Sequence, residues 1–190
     1  MQLRDYRPAD ERSWLHCRVL AFLSTPYFDD VLTSKPTIAP PGFSLVMAQD
    51  GEGSGQITGV IDVAIDGTLA TIETIAVHPD HQRTGLGRAL LHAARARARA
   101  AGADHLDAWT RDQPETLAWY RARGFAESEH YVHVYANHYT DPAELARAVP
   151  GPRPGLRPVT AFLHAPLARE AELRREFRRV HVCRRFTLPL

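Results

Sequence analysis

From Ile72 to Arg88 the chain reads Ile-Glu-Thr-Ile-Ala-Val-His-Pro-Asp-His-Gln-Arg-Thr-Gly-Leu-Gly-Arg. The β-branched residues Ile72, Ile75 and Val77 favour a strand, and Pro79 stops it because it has no N–H to give a ladder. Ala89 to Ala96, rich in Ala, Leu and Arg, favours a helix. Between the two lie Gly85 and Gly87. A strand, a tight glycine-bearing loop and a helix start in so short a run leave few folds open. They also carry a chemical consequence. Several backbone N–H groups point outward with the positive end of a helix dipole behind them, which suits a phosphate.

The phosphate ligand is narrowed by what the loop lacks. No Gly-Lys-Ser/Thr occurs, so it is not a Walker loop. The dinucleotide pattern Gly-x-Gly-x-x-Gly fails at its last position, where Leu90 stands. Gln-x-x-Gly-x-Gly does fit, at Gln82, Gly85 and Gly87. Here the chain resembles the GCN5-related N-acetyltransferase (GNAT) superfamily. The resemblance implies that Arg83, Thr84, Gly85, Leu86, Gly87 and Arg88 hold the pyrophosphate of acetyl-coenzyme A. The alternative is an ordinary strand–helix turn with helpful glycines.

A second run, Thr116 to Phe125, resembles the other signature of that family, Ala-x-x-Tyr-x-x-x-Gly-Phe. Tyr120, Gly124 and Phe125 match; Thr116 stands at the alanine, with Ala118 offset from it. Gln113 occupies the position where many members carry Asn, keeping the amide on a longer stem. The likeness covers about residues 3–136 and the final strand. It implies an α/β (α+β) fold with a mixed, mostly antiparallel central sheet flanked by helices. The whole chain, 1–190, is read as one acetyltransferase domain, with 137–179 as an insertion between the last two strands.

Composition sets the outer limits. At 190 residues there is room for one large domain and little for two. A net charge of +1 gives no bulk electrostatic case for nucleic acid. No run of about 18 apolar residues appears, so no membrane partner is expected. The start, Met1 to Asp5, lacks the apolar core of a signal peptide, and two cysteines, Cys17 and Cys183, make neither a disulfide framework nor a metal cluster. A reducing cytoplasm and no metal are the expectation. A homodimer stays open.

Local patterning fills in the elements. Leu3–Tyr6 reads as a first strand, Ala9–Leu23 as a helix after Pro8, and Tyr27–Leu32 as a short second helix. Strands are expected over Phe43–Gln49 and Gln56–Ile65, with a turn at Asp50–Gly55. Asp66-Gly67 is a hairpin signal leading into the strand Thr68–Val77. The next helix ends at Gly102. The arginines at 95, 97 and 99 read as its solvated face or as contacts to the cofactor 3′-phosphate. His105–Thr110 is a parallel strand, Pro114 opens a helix that Gly124 ends, and His130–Ala136 is a strand. Pro150–Pro158 is a loop, Leu167–Arg179 an amphipathic basic helix, and Val180–Leu188 the final strand.

The reaction that the resemblance implies explains the residue types. An amine attacks a thioester carbonyl, an oxyanion forms and a thiolate leaves. An alkyl amine at about 10.4 is mostly protonated at neutral pH, so a base must take its proton. By the resemblance, the backbone at Ile75, Ala76 and Val77 meets the acetyl and pantetheine groups, on a strand that bulges and splays. It also gives Tyr120 the leaving thiolate. A tyrosine at about 10 is a weaker acid than a thiol at about 8.5, so Tyr120 serves as well by donating a hydrogen bond as by full transfer. Glu73 is the candidate base, placed on the face of Ile75 and Val77 by period-two alternation. Spermidine-type members carry a Glu at the matching position. In the ribosomal-protein alanine branch the base lies where this chain has Ala108, so that mechanism does not carry over. Glu73 also reads as a solvent-facing strand residue, and Tyr120 as a core aromatic. His78, His81 and His105 have nothing that places them.

The acceptor is expected to be a small-molecule or peptide amine. The resemblance puts Tyr27, Phe28, Asp29 and Asp30 on its side of the cleft, a set suited to a cation. The bland alternative is an exposed first helical turn with the aromatics in the core. A reading from another class stays open: a coenzyme A-binding sensor or regulatory module without turnover.

Overall fold

The computed structural model describes residues 1–49, 55–151 and 153–190. The turn expected at Asp50–Gly55 lies, but for Gly55, outside the described residues, as does Pro152 of the expected loop. The fold is mixed α/β, with eight mostly antiparallel strands and five helices among the described residues. The chain divides into two compact units, residues 1–109 with 187–190, and residues 110–186.

The first unit holds β1 (Gln2–Asp5), α1 (Glu11–Phe22), β2 (Phe43–Ala48), β3 (Ile57–Asp66), β4 (Leu69–Val77), α2 (Leu86–Ala100) and the start of β5 (His105–Arg111). Strands β1 to β5 lie side by side in chain order. Neighbours are antiparallel except β4 and β5, which α2 connects in parallel. Strand β3 is buried from Ile57 to Val63, where helices cover both faces. Trp14 and Cys17 of α1 pack on Val46, Ala48, Val60 and Ala76. From α2, Leu90, Leu91, Ala94 and Ala98 point inward at helical spacing. Each of the two leucines contributes about 1.5–3 kcal/mol by leaving water. The packing is close: a Cβ on Gly59 of β3 would lie 2.9 Å from the Leu90 side chain.

The short helix expected at Tyr27–Leu32 is absent. Residues 26–29 form turns, with Phe28 N–H donating to Thr25 O and Asp30 N–H to Tyr27 O. Six residues are too few to repay helix nucleation. The buried guanidinium of Arg18 also holds the segment's end, donating to Asp30 O at 2.7 Å and to its carboxylate at 2.9 Å.

The second unit holds α3 (Pro114–Arg121), β6 (Ala126–Asn137), α4 (Pro142–Ala148), β7 (Thr160–Pro166), α5 (Glu170–Glu176) and most of β8 (Arg179–Pro189), with strands in the order β8-β6-β7. Val132, Val134 and Ala136 of β6 pack with Leu145, Leu173, Phe177 and Val180. Strand β7 and helix α4 were not foreseen. In β7 two of the three inward residues are Ala161 and Ala165, weak strand formers that hide the alternation. The basic helix expected to reach Arg179 stops at Glu176. There Phe177 turns extended into the core, and Arg178 N–H donates to the buried Glu144 carboxylate at 2.6 Å.

Asp112 is a pH-sensitive point of this unit. Its carboxylate takes Arg174 at 2.7 Å and His181 at 3.1 Å. Burial pushes its pKa up, but His181, the Val182 N–H and Arg174 outweigh that and hold it at about 2. A depressed carboxyl contributes stability above its unfolded value of about 3.9 and loses it on acidification toward the folded value. The stability difference between wild type and Asp112→Asn should therefore be full at pH 6 and shrink from about pH 4 to about pH 2. Urea midpoints across that range measure it.

Candidate active site

Two features of β4 set the geometry. The first is a bulge. Asp62 of β3 pairs with Thr74 and Val63 with Ile72, so Glu73 is the extra residue. Ile72 and Thr74 then lie on opposite faces. The face of Asp62 continues through Thr74 and Ala76, with Ile75 and Val77 on the other. Simple alternation across Glu73 therefore fails, because it assumes an unbroken ladder. The second feature is a splay. The β4–β5 register runs from Leu69 with His105 to Ile72 with Ala108 and ends there, leaving that edge of Glu73–Val77 outside the ladder.

Glu73 sits at the junction of the two. The residue is exposed, yet part of its side chain is taken out of water. That desolvation first, then the charges of Asp107 and Asp62, raise its pKa. Asp62 is almost fully buried and pairs with Lys35 at 3.1 Å. The Lys35 ammonium lies over the rings of Tyr6 and Trp14, at 4.7 and 5.4 Å. Asp107 is as deeply buried and accepts from the Thr71 hydroxyl at 2.6 Å.

Beyond Val77 the loop is tied back to the strand. The Gln82 side-chain amide donates to Val77 O at 3.1 Å, and Thr84 Oγ1 donates to His81 O at 2.6 Å. Arg83 and Gly85 have φ of +61° and +93°. A Cβ on Gly85 would meet nothing within 4 Å, so its backbone conformation, not space, calls for glycine. Gly85 caps α2, and Ala89 N–H returns to Gly85 O. The N–H groups of Leu86, Gly87 and Arg88 precede that first helical bond and have no intrahelical acceptor. Arg83, Thr84 and Arg88 are exposed around them.

The remaining sequence candidates divide. Arg97 is occupied: it pairs with the Asp5 carboxylate and lies 4.8 Å over the Phe43 ring. His105 pairs with Asp104 at 2.6 Å. His78 accepts from Asp80 N–H through Nδ1 at 3.3 Å. In the second unit, Tyr120 is 4 % exposed, stacked on Phe186 and edge-on to Phe125, each at 5.2 Å. Gln113 caps α3, and its side-chain oxygen accepts from Thr116 at 3.4 Å. Sequence reasoning missed Asp62, Lys35 and Asp107. The only signal was charge inside otherwise apolar strands, at Asp62 and Asp107.

Neither cysteine is available as a nucleophile. Burial pushes the Cys17 thiol up to about 12 and also raises Cys183, so both are protonated at neutral pH. Among the described residues no group of three or more His, Cys, Asp or Glu is arranged to hold a metal. No helix among them is long and apolar enough to cross a membrane.

A strand that bulges, leaves its parallel neighbour and runs into an amide-rich helix start is the geometry expected of an acyl-coenzyme A enzyme. The Acetyltransferase (GNAT) family model matches residues 3–125, more than half of the chain. The chain belongs to that family. Solved structures agree in fold. The ribosomal-protein-S18-alanine N-acetyltransferase of Escherichia coli has a TM-score of 0.59 at 19% identity, over 99% of this chain and 92% of that one. A GNAT family acetyltransferase from Elizabethkingia anophelis with acetyl-CoA bound has a TM-score of 0.55 at 16% identity, over 100% and 97%. Nourseothricin acetyltransferase has a TM-score of 0.55 at 18% identity, over 99% and 97%. Among curated proteins the sequence finds no match.

Proposed function

We propose that the protein is an N-acetyltransferase that moves the acetyl group of acetyl-CoA to a primary amine by direct attack in a ternary complex. The observation that carries this reading is the bulged, splayed β4 running straight into the Gln82–Arg88 loop. In the proposed complex the amides of 83–88 bind the pyrophosphate, with α2 behind them. The backbone at Ile75, Ala76 and Val77 orients the acetyl and pantetheine groups and donates to the developing oxyanion. Glu73 accepts the amine proton, directly or through water. The amine forms the new C–N bond, the C–S bond breaks, and the thiolate accepts a hydrogen bond or proton from Tyr120. Gln113 supports the cosubstrate in place of the family's Asn, and 137–179 is an insertion in the single acetyltransferase domain. The two protonated thiols fit direct transfer better than an acyl-cysteine intermediate.

The acceptor is proposed to be a small-molecule or peptide amine. Asp30 is committed to Arg18, which weighs against a role for it in recruiting that amine. The test is release of free thiol from acetyl-CoA across a panel of primary amines. Release that depends on the amine supports the reading, and release with none of them contradicts it.

Tyr120→Phe removes one hydroxyl from a packed aromatic cluster and little volume. The expected result is a fall in kcat of about 10²-fold, with cosubstrate affinity and melting temperature nearly unchanged. Steady-state kinetics beside a calorimetric titration measure both. An unaltered kcat would make Tyr120 a packing residue only.

A further inference from the structure

The buried carboxylate of Asp107 has no place in the reaction as written, yet the fold fixes it with care. It lies on β5 beside Thr71, one rung before the β4–β5 ladder ends at Ile72 and Ala108. The Thr71 hydroxyl holds it at 2.6 Å, and only 2 % of the residue is exposed, so it cannot swing into water. Thr71 pairs with Ala64, two residues from Asp62 on the same face of β3. Asp62, Thr71 and Asp107 therefore share one face, and Glu73 lies two residues on from Thr71, at the bulge. A candidate base thus follows, by two residues, the threonine that fixes a second carboxylate.

We infer that Asp107 is a positioning residue for the proposed transfer: anchored by Thr71, it holds a second negative charge beside Glu73 and so makes Glu73 a stronger base. This rests on Glu73 acting as the base. Like charges held close favour protonation of one of them, and partial desolvation strengthens the effect. Other charged groups near this spot have partners of their own. Asp62 on β3 also repels, but the Lys35 ammonium at 3.1 Å offsets it. Arg18 of α1 bears on Asp62 and is tied to Asp30. Tyr6, after β1, lies under Lys35. The raised pKa of Glu73, with Asp107 the larger of its two charge causes, agrees with the geometry. A carboxylate base with a higher pKa takes a proton from an ammonium-derived amine with less of an uphill step.

The test is a carbon-detected NMR titration of the Glu73 carboxyl in the full chain without cosubstrate. Wild type, Asp107→Asn and Asp107→Ser are compared. Asp107→Asn keeps the shape and an oxygen for Thr71; Asp107→Ser carries the test if the amide fails to fold. The expected result is a wild-type Glu73 above the ordinary glutamate range and a downward shift in each neutral variant. The acidic limb of the kcat/KM profile should move the same way, since Glu73 must lose its proton to act. A Glu73 titration that does not move in either variant overturns the role of Asp107, as does an ordinary wild-type value. The titration needs no turnover. A shifted Glu73 in a protein that acetylates nothing would count against the proposed reaction instead.

Discussion

Gly87→Glu is expected to abolish acetyl-CoA binding while the fold survives. Gly87 lies in the first turn of α2 and is not among the glycines with positive φ, so a side chain there is conformationally allowed. Glutamate forms helix better than glycine by roughly 0.5–1 kcal/mol, and its charge is favourable near a helix N-terminus. The variant should melt no lower than wild type. The same carboxylate would occupy the space in front of the Leu86–Arg88 amides and repel an incoming pyrophosphate. Affinity for acetyl-CoA should fall by at least about 10²-fold, the scale of a lost charge-assisted anion site. Calorimetric titration and a thermal melt on one preparation give both results. Wild-type affinity in a folded variant would remove this loop from the cosubstrate site.

Truncation before Val180 should leave no cooperatively folded protein. The deleted segment contains Val180, Val182, Phe186 and Leu188, all buried. At roughly 1.5–3 kcal/mol each, these four side chains represent roughly 6–12 kcal/mol, comparable to the whole stability of a typical domain. In the second unit Val180 belongs to the core around Leu173 and Phe177, and Phe186 stacks on Tyr120. In the first unit Leu190 N–H donates to Asp104 O at 2.8 Å. Circular dichroism with a thermal scan is the measurement. A soluble truncation with a sharp transition would show that residues 137–190 are an appendage.

The parts of this fold that sequence makes legible are those with strong local chemistry. Pro79, Gly85, Gly102, Pro114 and Gly124 punctuate the chain where elements begin or end, because few other residues satisfy those backbone demands. The strands of the first unit follow their β-branched content. The segment after Asn137 reads poorly for a matching reason: Ala161 and Ala165 carry the inward face of β7, and Glu144 ends α5 from 34 residues away. The site divides along the same line. The loop at 82–88 is local, and its place between a strand and a helix start is readable from spacing. The surroundings of Glu73 are not, because the bulge depends on how β4 pairs with β3, and Asp107 meets Thr71 only once β5 is laid alongside. Period-two counting across the bulge therefore puts Ile75 and Val77 on the face of Thr71, where the register has Thr74 and Ala76.

The most direct test of the central claim uses acetyl-CoA labelled with carbon-13 at the acetyl carbonyl. It is mixed with the protein and the amine that gives the fastest thiol release, and the products are read by carbon NMR and by intact protein mass. Direct transfer predicts that the thioester carbonyl signal is replaced by that of the amide of the acceptor. It also predicts that the protein mass stays unchanged throughout and that Glu73→Gln slows the conversion. A thioester that persists in the presence of folded, cosubstrate-bound protein would contradict the account, as would label held covalently on the protein.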